Sequence, residues 1–109
     1  MVNVTNTSKL FPTLVHEFVY EVDKNLKSNI ENQDVKRFKK SHTCSSKNNN
    51  LHLEPEFKGF VDKVMSTTKE IVDEYYQWSY DKLEITNMWV NVSQKGDTHM
   101  PHNHSNNIF

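Results

Sequence analysis

The sequence is short of the residues and patterns that several functional classes require. Cys44 is the one cysteine in 109 residues, which excludes an internal disulfide framework and a zinc site built on thiolates. It stands in the polar stretch Ser41-His42-Thr43-Cys44-Ser45-Ser46 with no activating frame, so it reads as a bystander thiol rather than a nucleophile. No apolar run approaches the roughly 18 residues of a membrane span, and Met1–Leu10 lacks the apolar block of a secretion signal. The expectation is a soluble, cytoplasmic protein without membrane contact. Charge of one sign is missing too: 13 basic and 14 acidic residues leave a formal net charge of −1. Up to Glu54 the chain holds 8 basic and 6 acidic residues, and beyond it 5 and 8. Neither half has the basic excess that nucleic-acid backbones demand. The run Lys36-Arg37-Phe38-Lys39-Lys40 reads as a solvated helix end.

Hydrophobic residues are also few, at 35% with a mean hydropathy of −0.80, so the core is expected to be modest. An aromatic content of 11% nevertheless argues against disorder. The length suits a single domain, since domains commonly run to about 100–150 residues.

What is present divides by period. Leu14, His16, Phe18 and Tyr20 alternate with Val15, Glu17 and Val19, which predicts a strand over Leu14–Tyr20. Asp23 has the chemistry of an N-cap for a helix carrying Leu26 and Ile30 four residues apart. Val35 and Phe38 suggest a further helical turn. Ser41–Asn50, rich in Ser, Asn and Lys, predicts a mobile loop, because such side chains hydrogen-bond their own backbone. From Pro55 to Trp78 the spacing becomes helical: Phe57, Phe60/Val61, Val64, Thr68, Ile71/Val72 and Tyr75 form one stripe. Leu83–Ser93 returns to period two. Thr86, Met88, Val90 and Val92 form an apolar face, and Ile85, Asn87, Trp89 and Asn91 a mixed one suited to a cavity wall. Gln94-Lys95-Gly96-Asp97 is a turn, with Gly96 able to take positive φ.

Three of the six histidines fall within Thr98-His99-Met100-Pro101-His102-Asn103-His104. On a strand, residues two apart project from one face, separated by about 6.6 Å along the chain at about 3.3 Å per residue. His102 and His104 can therefore reach one metal ion as neutral imidazoles. His99, three residues before His102 and across a proline, is the weaker candidate. A polar loop carrying idle histidines is the competing reading of the same residues.

The order of these features resembles the small 2-oxoglutarate- and Fe(II)-dependent oxygenase-like proteins of marine bacteria and their phages. The resemblance runs from Leu10-Phe11-Pro12-Thr13 through Asn50-Leu51-His52 and Glu54-Pro55-Glu56-Phe57. It is sharpest from Met88-Trp89-Val90-Asn91-Val92 and Gly96 to His102-Asn103-His104 and Ile108-Phe109. It implies an α+β fold in which helices pack on antiparallel strands forming the first part of a double-stranded β-helix (jelly-roll). It further implies Fe(II) and 2-oxoglutarate as cofactors, His102 and His104 as metal ligands, and Trp89 and Asn91 as walls of the co-substrate pocket. Two departures stand out. His104 occupies the position where the wider superfamily carries Asp or Glu, and Ser105 that of the usual proline. The distal histidine and the basic residue that grips 2-oxoglutarate have no counterpart here, so residues 1–109 read as an incomplete portion, inactive by itself. His16, His42 and His52 are poor substitutes for the third ligand. Two alternatives stay open: a non-catalytic module that forms a homodimer through an open strand edge, and a histidine-based binder of transition metals. The substrate is not legible.

Overall fold

The computed structural model describes residues 3–8, 10–37 and 43–103. Its first regular element begins where a carboxylate satisfies a helix end. Asp23 keeps an extended backbone and its Oδ1 accepts the Leu26 amide at 2.8 Å, so α1 runs Lys24–Glu31 as the N-cap predicts. Leu26 is buried on the inner face of α1, and Ile30 packs against the same cluster one turn later.

The next segment departs from the sequence reading. Val35–Lys36 is a strand, β1, not a helical turn; the Asp34 carbonyl accepts the Lys47 amide at 2.7 Å and draws the chain into pairing. Phe38 lies outside the described residues. The expected loop Ser41–Asn50 holds β2 (Cys44–Ser46), the middle strand of the sheet. Antiparallel pairing sets Val35 opposite Ser46 on one side, and Cys44 opposite Val92 of β3 (Asn91–Val92) on the other. Serine carries little strand preference of its own, but a middle strand is held by ladders on both sides. Ser46 is 2% exposed and fully bonded: its amide donates to the Val90 carbonyl at 2.8 Å, and its hydroxyl donates to the Asn48 carbonyl while accepting the Val90 amide at 3.0 Å. The turn chemistry survives just afterwards, where Asn48 Oδ1 accepts the Asn50 amide at 2.8 Å. Ser41 and His42 are outside the described residues.

Of the strand expected over Leu83–Ser93, only Asn91–Val92 joins the ladder. Met88 and Val90 pack on the core as their face predicts, whereas Thr86 and Val92 are exposed. The ladder is short because its partner turns away after Ser46. Met88 instead makes an isolated parallel bridge to Asn50, with the Leu51 amide on the Met88 carbonyl at 3.0 Å.

Two 3₁₀ turns, Leu51–Leu53 and Pro55–Phe57, lead into α2 (Lys58–Ile71) and a π-helical turn, Val72–Tyr76. Pro55 takes the start of this helical run, where a missing N–H costs nothing. Gln77, at φ 52°, closes the run, so Trp78 lies beyond it. Phe57 is buried with Leu26 and Leu51, and Phe60 and Val61 pack on that cluster. Val72 is buried, but Tyr75 is exposed. The π turn holds more residues per turn than an α-helix, which rotates Tyr75 off the stripe.

Leu14–Tyr20 keeps its alternation without becoming a strand. Tyr20 stacks edge-on against Phe60 at 5.4 Å, and its hydroxyl fits over Gly59, where an added Cβ would lie 3.0 Å away. Val15 and Val19 point outward. Among the described residues, 12–22 make no backbone hydrogen bond. The result is an α+β arrangement of two helices and a small three-stranded open sheet. Its radius of gyration is 19.0 Å, against roughly 13 Å for a compact chain of this length. Among the described residues no helix is long and apolar enough to cross a membrane.

Past the π turn, the Tyr80 hydroxyl donates to Asp73 Oδ1 at 2.9 Å, and Lys69 Nζ reaches both Asp73 and Tyr80. The Lys69 ammonium, then the Tyr80 hydroxyl, holds the Asp73 carboxyl below its ordinary value of 3.8. The hydrogen bond from Lys69 to Asp73, then that to Tyr80, raises Lys69 above 10.5. This tether is therefore complete at neutral pH. It is lost as pH falls below 3.8 through the Asp73 value, or rises above 10.5 through that of Lys69. The NMR shifts of the Tyr80 ring should move as pH falls below 3.8 and stay flat from there to neutral pH. Leu51 and Leu53 offer a second test within one 3₁₀ turn, Leu51 being fully buried and Leu53 73% exposed. Leu51→Ala should cost about 2–5 kcal/mol and Leu53→Ala well under 1, measured by denaturant unfolding. Equal midpoints would contradict the core described.

Candidate functional site

The register of β2 on β3 sets Ser45 beside Asn91, and the Ser45 hydroxyl donates to Asn91 Oδ1 at 2.9 Å. One step along, Thr43 Oγ1 and Ser93 Oγ lie 2.7 Å apart. Thr43, Ser45 and Asn91 of this row form the floor of a cleft of about 330 Å³. Trp89 and Asn91 line it together with Thr43, Ser45, Lys36 and His99. The two residues read from sequence as a cavity wall thus do share one concave surface, with Trp89 half in solvent. Lys47 also reaches the wall, and no Asp or Glu does among the described residues. The cleft has two lysines among its lining residues, while most of its lining surface comes from apolar atoms.

His99 connects the cleft to the histidine segment. Its ring stacks on that of His102 with centroids 5.0 Å apart and planes within 15°. Imidazole lone pairs lie in the ring plane, so two parallel rings direct them side by side rather than at one point. A shared ion would require one ring to turn. His102 Nδ1 lies 3.0 Å from the Met100 carbonyl. A carbonyl only accepts, so Nδ1 carries the proton and Nε2 becomes the lone-pair nitrogen of the neutral ring. Metal-ligating histidines are commonly oriented in this way. His104 lies outside the described residues. Among those described, no group of three or more His, Cys, Asp or Glu side chains could hold a metal ion. The donors fit the chemistry of iron, copper, nickel or zinc but do not complete a three-ligand set.

The other described histidines sit elsewhere. His16 packs edge-on against Tyr75 at 4.8 Å and Tyr76 at 5.9 Å, beside the end of α2. His52 lies in the first 3₁₀ turn, its Nδ1 buried without a hydrogen-bond partner among the described residues. His42 is outside the described residues.

The turn before the histidines is held from both ends. Gly96 adopts φ 89°, Asp97 donates its amide to the Gln94 carbonyl at 3.0 Å, and the Gln94 amide returns a bond to Asp97 Oδ2 at 2.8 Å. Arg37, just past β1, forks onto Asp97 with contacts of 2.8 and 3.3 Å. This pair fastens the turn to the opposite edge of the sheet, and the Asp97 hydrogen bond raises Arg37 further above its already high value. The sequence reading placed Arg37 in a solvated helix end and Thr43–Ser45 in a loop, and assigned neither a part in a site. Cross-strand register places them, and no local pattern announces it.

The chain matches no family model, no curated protein and no solved structure.

Removing the clamp should loosen the border of the cleft without unfolding the core. In Asp97→Ala, hydrogen exchange at the Gln94 amide should accelerate while the Leu51 amide keeps its protection. Unchanged exchange at Gln94 would show that the clamp does not hold the turn.

Proposed function

We propose that this chain supplies the first metal-binding arm and part of the co-substrate pocket of a 2-oxoglutarate- and Fe(II)-dependent oxygenase of the double-stranded β-helix type. In this reading His102 and His104 hold the iron, and Trp89 and Asn91 flank the 2-oxoglutarate. The reaction class is oxidation of a substrate C–H bond coupled to decarboxylation of the co-substrate. The observation that carries the proposal is the His102 Nδ1 contact to the Met100 carbonyl, which presents Nε2 as the lone-pair nitrogen next to the Trp89–Asn91 cleft's His99. The lysines and hydroxyls of that cleft suit a dicarboxylate, and no carboxylate of the described lining residues opposes one. The open sheet is compatible with a few strands of a larger jelly-roll.

A histidine-based metal binder without redox chemistry is the second reading: the His99 and His102 rings lie 5.0 Å apart, and a turn of one ring would let both reach an ion. The two readings separate by linkage. A ligand that chelates iron together with the imidazoles must tighten iron binding, and iron must tighten it in return. Under anaerobic calorimetry, 2-oxoglutarate should raise the Fe(II) affinity of the chain at least several-fold, and His102→Ala/His104→Ala should abolish that gain. Without 2-oxoglutarate, Cu(II), Ni(II) and Zn(II) should bind more tightly than Fe(II). Metal binding that ignores 2-oxoglutarate would leave the plain binder. Titrations unchanged in the double variant would remove the metal site altogether.

A further inference from the structure

One face of the three-stranded sheet gathers positive charge. Side chains two apart on a strand share a face, so Lys36 on β1, Thr43 and Ser45 along β2, and Trp89 and Asn91 opposite them line one cleft. Lys47, just past β2, lies on that face too. Its amide donates to the Asp34 carbonyl at 2.7 Å, which continues the pairing of β2 with β1. Lys36 stands opposite Ser45, so Lys36 and Lys47 are diagonal neighbours, about 7–8 Å apart across the ladder. The carboxylate that this register brings nearest to them is that of Asp34. It does not line the cleft and forms no ion pair with Lys47.

We infer that this cleft binds a short aliphatic dicarboxylate without any metal, and that Lys36 and Lys47 select it by its second charge. The inference deepens the proposed function and rests on its reading of the cleft as a co-substrate pocket. Two ammonium groups on one wall repel each other, and an anion that reaches both relieves the repulsion. A compact inorganic anion would answer the charge but leave the largely apolar wall in water. A dicarboxylate offers one carboxylate to each ammonium and lays its methylene groups against that wall. A monocarboxylate of the same length engages one ammonium alone. The Ser45 hydroxyl already donates to Asn91 Oδ1 at 2.9 Å, so discrimination by charge falls to the lysines. Asp34, beside Lys47 in the ladder, opposes the ligand and weakens its binding.

The test is calorimetric titration of the full chain in metal-free buffer with glutarate, which lacks the 2-oxo group that would chelate iron. Pentanoate, with the same five carbons and one carboxylate, and inorganic phosphate are the comparison ligands. Glutarate should bind, and pentanoate and phosphate should bind about tenfold more weakly or worse. Lys36→Gln and Lys47→Gln, each checked for unchanged circular dichroism, should bring glutarate down to the level of pentanoate. Asp34→Asn should tighten glutarate severalfold. Lys27→Gln on α1 makes the same change in net charge as the two lysine variants and should alter nothing. Absence of glutarate binding overturns the inference, as does pentanoate or phosphate that binds equally well. Glutarate affinity that survives both lysine variants overturns it too. Glutarate binding in a chain whose Fe(II) affinity ignores 2-oxoglutarate would remove the oxygenase reading and keep the dicarboxylate site. The converse result would remove this inference alone.

Discussion

The fold hangs on the lacing of residues 46–51 along residues 88–90. Four hydrogen bonds of 2.8 to 3.0 Å join the two segments: Ser46 to Val90 in both directions, Met88 to Asn49, and Leu51 to Met88. They join residues about 40 positions apart, so their formation closes a long loop at an entropic cost that local contacts do not repay. The return comes from what the lacing carries inward. It sets Leu51 fully out of solvent, and Leu26 and Phe57 close around it from α1 and the second 3₁₀ turn. Fully burying three such side chains stabilises by about 1.5–3 kcal/mol each, and few others are buried to the same degree.

The same lacing orders the cleft. Once Ser46 is fixed against Val90, Ser45 must face Asn91, and Trp89 lies one residue from the anchored position. Polar side chains that would be idle on a loop become a floor, because the ladder holds them side by side. The cleft's border is secured independently by Arg37 on Asp97. That ion pair is not simply another surface contact: the Asp97 side chain is only 7% exposed and also closes the turn through the Gln94 amide. The histidines therefore follow a turn with defined geometry.

The N-terminal run is governed by the opposite balance. Its inward residues find α2, but its backbone groups meet no ladder and its outward apolar residues meet water.

Several elements were determined by the sequence alone, because their causes are local. Asp23 caps α1 through a contact three residues away, Pro55 opens the second helical run, and Gly96 permits a backbone that other residues resist. The inward faces of Phe57, Val61, Met88 and Val90 also follow from periodicity, which reports burial directly. Tertiary structure decided what depends on partners. Cys44–Ser46 has the composition of a loop and becomes the middle strand because chains on both sides supply its hydrogen bonds. Leu14–Tyr20 has the pattern of a strand and forms no ladder because a period specifies a face, not a neighbour. The cleft follows the same logic. Trp89 and Asn91 could be read as a wall from their alternation, but the register that sets Ser45 against Asn91, and the stacking of His99 on His102, exist only in the folded chain.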